Sequence, residues 1–258
     1  MATIPQKVQT RLITSLKKFQ TIVSNAKSKD INESDTVVII TDLLSELFGY
    51  DKYTEITSEQ AIKKTFCDLA IKIDGKVRFI IEVKAAGLDL KSDHIKQAVD
   101  YGSNLGIDWV ILTKGSSWKV FKIIFGKPVG NEIVYEFDLT QLNAKKENDL
   151  ELLYYVCKES LGKSVLEDFH VQKQSFNKFF VGQLILSEPV IDSIRKVLKK
   201  VSPDIKVSNE DIIELIENEV LKREVVDGEK VEEAKKKINK AFKALAKEAT
   251  SKTEIQAE

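Results

Sequence analysis

The stretch Phe66-Cys67-Asp68-Leu69-Ala70-Ile71-Lys72-Ile73-Asp74-Gly75-Lys76-Val77-Arg78-Phe79-Ile80-Ile81-Glu82-Val83-Lys84 reads as a β-hairpin. Two runs rich in β-branched residues flank Asp-Gly, a dipeptide suited to tight reversal. Side chains alternate faces along a strand, so Glu82 and Lys84 project on the same side. One alternate set, Leu69, Ile71, Ile73, Val77, Phe79, Ile81 and Val83, is wholly apolar, while the other holds Asp68, Ala70, Lys72, Arg78, Ile80, Glu82 and Lys84. A two-residue loop at Asp74-Gly75 would pair Ile73 with Lys76 and set the apolar residues of the two strands on opposite faces. Parity therefore favours an odd loop of three residues, either ending at Gly75 or spanning Asp74 to Lys76. In either register Asp68 joins the face of Glu82 and Lys84, directly opposite Glu82 at ~5 Å or diagonal to it at ~7 Å.

Two carboxylates held this close raise each other's pKa, a costly arrangement unless positive charge sits between them. A divalent metal supplies that charge, and carboxylate oxygens are the hard ligands that Mg²⁺ takes, with waters and substrate phosphate completing the shell. Lys84 would then stand beside the attacking water, orienting or deprotonating it and offsetting charge on a phosphate. The plainer alternative is a surface hairpin whose outer face carries ordinary charges, so the rest of the chain has to decide.

At 258 residues the chain has ample length for a core, and its apolar and charged fractions are those of a soluble globular protein. The formal net charge is zero, which argues against a strongly basic nucleic-acid-binding face without excluding a local basic cleft. Cys67 and Cys157 are too few and too far apart for a zinc site or a disulfide framework, and read as buried thiols of a reducing compartment. The N-terminal residues lack the apolar core of a secretory signal and no apolar run approaches membrane-spanning length, so a cytoplasmic protein is expected.

Along the chain, Val8, Leu12, Leu16, Phe19 and Val23 recur at helical spacing. Asn32-Glu33-Ser34-Asp35-Thr36 starts a second helix that Gly49 stops, with Glu33 and Glu46 at its two ends as dipole-stabilising residues or further carboxylates for the site. After the hairpin, Ser92 is a candidate cap for a helix to Leu105, closed by Gly106. Gln97 and Tyr101, four residues apart, share a stripe beside its apolar one, and His94 lies on the same side. Asp108 to Thr113, Trp118 to Ile124 and Glu132 to Asp138 read as strands. This order predicts an α/β sandwich with a mixed central sheet covered on both faces.

Past residue 145 the chain turns helical and charged, with helices expected at 150–161, 176–186, 189–201, after Ser208, and from Val231. Residues 146–250 are thus expected to form a helical region that packs on the sheet, dimerises or receives a partner, and 251–258 a disordered tail. The segment Gly162-Lys163-Ser164 mimics the end of a phosphate-binding loop, but the first glycine is missing and no strand precedes it, so no nucleotide site is assigned.

The combination of Asp68, Glu82-Val83-Lys84 and Gln97-x-x-x-Tyr101 resembles the PD-(D/E)xK nuclease superfamily, and within it the N-terminal nuclease domain of type I restriction endonuclease motor subunits. The likeness spans roughly residues 30–125 and includes Asn32 to Thr36, the Leu-Phe-Gly-Tyr at 47–50 and Leu112-Thr113-Lys114-Gly115 with Trp118. It implies a restriction-endonuclease-like three-layer sandwich over residues 1–145. It also implies Asp68, Glu82 and the Val83 carbonyl as Mg²⁺ ligands, with Mn²⁺ a substitute and Glu33 a further acid at the edge. Lys84 would position the attacking water, and Gln97 and Tyr101 would contact substrate or steady the site.

The chain departs from the family in having Leu69 after the aspartate where a tyrosine is common, no proline before it, and no helicase motor. The implied function is a Mg²⁺-dependent endonuclease hydrolysing phosphodiesters of double-stranded DNA, with a second copy or partner subunit engaged through the C-terminal helices. Rival readings are a catalytically idle binding or assembly module on the same fold, and a structure-specific DNA repair or RNA nuclease.

Overall fold

The computed structural model describes residues 3–62 and 65–255. They fall into two compact units, 1–168 and 169–258. In the first, α1 (Gln6–Ser28) buries Val8, Leu12, Leu16, Phe19 and Val23, the stripe that its spacing predicted, and extends it to Ala26. Helix α2 (Glu33–Glu46) begins where the Asn32 side chain accepts the Asp35 N–H at 2.9 Å. Strands β1 (Ile56–Ile62), β2 (Thr65–Ile73) and β3 (Lys76–Val83) follow, then a 3₁₀ turn at Ser92–Ile95 and helix α3 (Lys96–Leu105). Strands β4 (Trp109–Thr113), β5 (Ser117–Ile124) and β6 (Gly130–Asp138) complete one six-stranded sheet in sequence order.

Every neighbouring pair is antiparallel except β3 and β4, which are parallel because α3 carries the chain back between them. Ala70, Ile80, Val110, Leu112, Phe121 and Ile123 share a buried cluster with Ala98, Val99 and Tyr101 of α3. Leu69, Ile71, Phe79, Ile81 and Val83 are buried in the alternate set, and α2 also packs on β3. This is a mixed sheet flanked by helices, the restriction-endonuclease-like sandwich, with a helical region after it.

The hairpin corrects one expectation. Ile73 pairs with Lys76, so the loop is the two-residue Asp74-Gly75, not three. Both residues have positive φ, +51° and +74°, the pattern of a type I′ turn. Parity is restored within the ladder, where Lys72 pairs with Val77 but Ile71 with Phe79, leaving Arg78 as the extra residue of a bulge. Past the bulge the apolar sets share one face. Strand β1 has no counterpart in the sequence reading, because Ile56-Thr57-Ser58-Glu59-Gln60-Ala61-Ile62 shows no alternation and few strand-favouring residues.

The first unit continues beyond 145 into α4 (Glu147–Tyr154) and α5 (Lys158–Leu161). A single helix was expected over 150–161, but it breaks because tertiary bonds take its backbone groups. The Tyr50 hydroxyl donates to the Val156 carbonyl at 2.7 Å, and Lys158 N–H to the Phe48 carbonyl at 3.0 Å. The look-alike at 162–164 therefore follows helices, not a strand.

Helix α6 (Val165–Ser175), absent from the sequence reading, runs through the division between units. The second unit then holds α7 (Lys178–Ile185), α8 (Glu188–Val201), α9 (Asn209–Leu215), a π turn at Ile216–Val220, α10 (Arg223–Val226) and α11 (Glu229–Ile255). Ile191, Ile212 and Ile216 are buried together in it. Residues 251–255, expected in a disordered tail, continue α11, and 256–258 lie outside the described residues. Among the described residues no helix is long and apolar enough to cross a membrane.

Arg11 closes the corner after α2. Its guanidinium donates to Glu159 through two bonds of 2.7 and 2.8 Å, and also to the Leu47 and Phe48 carbonyls at 3.0 and 3.2 Å. These carbonyls are among those a helix end leaves without intrahelical partners. Gly49 has φ +85°, and a Cβ there would lie 2.6 Å from the guanidinium. Gly49→Ala should therefore cost about 2–3 kcal/mol in urea unfolding, through backbone strain and displacement of Arg11. At Gly75, also at positive φ, a Cβ meets nothing within 4 Å, so Gly75→Ala should cost only the strain, about 1 kcal/mol.

Candidate active site

The site forms where β2 and β3 part company. Their ladder runs to the pair Leu69 and Ile81, and continuing its register would set Asp68 opposite Glu82. Backbone pairing stops there. Instead, Asp68 Oδ2 accepts the Val83 N–H at 2.6 Å, so a side chain takes the place of the next strand carbonyl. Cys67 shares the α3-side cluster with Ala70 although strict alternation would separate them, so the pleat of β2 is irregular at Asp68. On the other flank β3 stays clamped, because Lys84 N–H donates to the Thr113 carbonyl at 2.8 Å. A strand residue directs its N–H and C=O to the same neighbour, so the Val83 carbonyl faces the flank occupied by Asp68.

Glu82 is buried, with its side chain 6 % exposed, and Lys84 Nζ lies 2.6 Å from its Oε1. Glu33, at the first residue of α2 and half exposed, reaches the same Nζ at 3.5 Å. Burial raises the Glu82 pKa, the hydrogen bond from Lys84 opposes that, and the Asp68 and Glu33 charges add to the rise. Burial by itself lowers the Lys84 pKa, but the bond to Glu82 and the fields of Glu82, Glu33 and Asp68 outweigh it and leave it raised. The single cation of Lys84 answers three acids, so Lys84 stays protonated while the carboxylates remain short of positive charge.

The other expected residues separate. Gln97 is exposed on the first turn of α3, whereas Tyr101 is 2 % exposed and packs in the core. Burial and a hydrogen bond with Cys67 raise the Tyr101 pKa, so the phenol braces β2 one residue before Asp68 and is not presented at the surface. His94 Nδ1 accepts the Lys91 N–H at 3.1 Å, the bond of a local turn. Glu46 pairs with Lys18. Its helix has fourteen residues, which puts it about 20 Å from Glu33.

Two positioning contacts were not anticipated. Ala86 N–H donates to the Ile31 carbonyl at 3.3 Å, and a Cβ on Gly87 would fall 1.9 Å from Asp30 Oδ1. The loop after β3 thus lies directly against the loop that starts α2 and carries Glu33. The only sequence signal is a small-residue run, Ala85-Ala86-Gly87.

Among the described residues, no group of three His, Cys, Asp or Glu side chains is arranged to hold a metal ion. What the site offers is two carboxylates on adjoining strands, mutually destabilised by their charge, with a backbone carbonyl on the flank of one. That donor set suits a cation that takes one or two carboxylates and fills its remaining positions with water and phosphate oxygens.

The electrostatics can be checked without any ligand. Lys84→Met keeps the stem but removes the charge that compensates buried Glu82. It should lower stability by about 1–3 kcal/mol in urea unfolding at neutral pH with chelator present. Adding Glu82→Gln should recover most of the loss, whereas equal losses in the single and double variants would assign the effect to packing.

Residues 39–135 match the family described as type I restriction enzyme R protein N terminus (HSDR_N). Searches of the curated proteins and of the solved structures returned no match. The matched segment contains Asp68, Glu82, Lys84, Gln97 and Tyr101, whereas Glu33 and the whole second unit lie outside it. The domain built on this sheet resembles the N-terminal nuclease region of type I restriction enzyme R subunits, of the PD-(D/E)xK superfamily.

Proposed function

We propose that the protein is a Mg²⁺-dependent endonuclease that hydrolyses phosphodiester bonds of double-stranded DNA. The observation that carries this reading is the meeting of Asp68, Glu82 and Lys84 where the β2 and β3 ladder ends, with Lys84 Nζ 2.6 Å from Glu82. Asp68, Glu82 and the Val83 carbonyl would hold the ion, with Glu33 as a further acid at its edge and Mn²⁺ as a substitute. Bound there, a divalent cation acts as a Lewis acid on the phosphate and makes water more acidic.

Lys84, held cationic, orients the attacking water and offsets charge that builds on the phosphate oxygens. The water oxygen bonds to phosphorus as the bond to the leaving sugar oxygen breaks; the attacking water gives a proton to solvent and the leaving oxygen takes one from it. Gln97, exposed on α3, contacts the substrate backbone, and Tyr101 steadies Asp68 through Cys67. Two buried thiols, Cys67 and Cys157, suit a reducing compartment and favour a cytoplasmic setting. The helices of the second unit would receive a second copy or partner subunit.

A second reading has its own support, since Lys84 Nζ, 2.6 Å from Glu82, already compensates that carboxylate without an ion. In that reading the site is idle and the fold serves as a binding or assembly module. Supercoiled plasmid incubated with purified protein and Mg²⁺ or Mn²⁺ separates the two. Nicking or linearisation that falls at least about 100-fold in Lys84→Ala and Asp68→Ala is the outcome expected of a nuclease. Association that persists in those variants without any cutting by the unaltered protein would support the module instead. Cutting that is equal in all three would leave the nuclease reading without support.

A further inference from the structure

The second unit carries an uncompensated charge stripe on α11. From Ala234 to Lys247 the sequence holds six lysines and no acid, in a chain whose net charge is zero. Val231, Ala234 and Ile238 are buried on one face of the helix. Steps of four and three residues put Lys236, Lys240 and Lys243 together on the opposite face, where all three are exposed.

Neighbouring lysines have partners. Lys235 Nζ lies 3.1 Å from Glu232, Lys237 donates to Gln174 Oε1 at 3.1 Å, and Lys230 sits over the Phe179 ring at 5.7 Å. Lys236, Lys240 and Lys243 have no ion pair or hydrogen bond among the described residues.

We propose that this stripe is a docking surface for the phosphate backbone of double-stranded DNA. From Lys236 to Lys243 the helix rises about 10 Å, about three of the 3.4 Å axial steps between phosphates of one strand, so each of the three amines can take its own phosphate. Primary amines on flexible stems bind phosphate as point charges, giving affinity without sequence preference. A membrane-surface helix would turn a continuous apolar face outward, but here Val231, Ala234 and Ile238 are buried in the protein and, of the large apolar residues, only Leu245 continues that face into solvent. The choice of DNA as the polyanion rests on the nuclease reading, whereas the charge pattern stands on its own.

The test is fluorescence anisotropy of the full chain on a short labelled duplex, in EDTA so that nothing is cut, over a series of salt concentrations. The triple variant Lys236→Gln, Lys240→Gln, Lys243→Gln should bind about tenfold more weakly or worse. It should also flatten the slope of log K against log salt by roughly 2.7, about 0.9 for each phosphate no longer neutralised. The same positions changed to Arg should keep both affinity and slope, which separates charge from folding.

Lys7→Gln, Lys17→Gln and Lys27→Gln, exposed on α1, make the same change in net charge and should leave the slope unaltered. The proposal is overturned if the unaltered protein does not bind the duplex, if the α11 variant keeps its slope, or if the α1 variant is weakened as much. Binding through the stripe with no plasmid cleavage would count against the nuclease reading alone. Plasmid cleavage with an unchanged slope in the α11 variant would count against the stripe alone.

Discussion

A buried carboxylate beside a second one is the constraint around which the first unit is arranged. Glu82 is almost out of solvent, and Asp68 adds its charge from the adjoining strand, so both pressures favour the neutral acid. Lys84 is the compensating cation, and the backbone decides that it stands there. The bond from its N–H to the Thr113 carbonyl holds β3 against β4, and two-residue periodicity then turns its side chain to the face of Glu82. The crossover through α3 is thus linked to the electrostatics, since it makes β3 and β4 parallel neighbours and lets β4 fix the last residues of β3.

The hairpin was legible in the sequence because β-branched alternation and Asp-Gly leave few options, and the shared face of Glu82 and Lys84 followed from strand geometry alone. Its loop was not. Counting parity fixes how many residues must be absorbed but not where. Both Asp74 and Gly75 accept positive φ, so the tight turn forms and the surplus moves to a bulge at Arg78. Strand β1 escaped because pairing with β2 is what makes it a strand, and Ser58, Glu59 and Gln60 give no local sign of that. The burial of Tyr101 was hidden for a related reason. Helical spacing grouped it with Gln97, but α3 buries a wide enough sector to include a phenol, and Cys67 offers its hydroxyl a partner.

Helix breaks were the least legible feature. The apolar spacing over 150–161 is compatible with a single helix, and only the carbonyl of Phe48 and the hydroxyl of Tyr50, about a hundred residues earlier, draw the chain out of it. The same long-range logic applies around the site. A side chain at Gly87 would displace the exposed Asp30 carboxylate, and the bond from Ala86 N–H to the Ile31 carbonyl aligns the loop after β3 with the loop before Glu33. Nothing near either residue in the sequence announces the other.

Asp68 serves two ends, and the geometry allows both. By accepting the Val83 N–H it satisfies a backbone donor that the departing β2 strand would otherwise leave bare, which is a structural duty. An ionised carboxylate has about four lone-pair sites over its two oxygens, so one bond to an N–H does not exhaust it. That bond also locks the carboxylate in the plane of the sheet, on the flank faced by the Val83 carbonyl. A side chain held this way reaches a ligand with its rotamer entropy already lost, which is what a site needs if it is to position an ion or a water closely. The end of the β2 and β3 ladder is therefore the feature that turns a hairpin carrying charges into a place where chemistry can be organised.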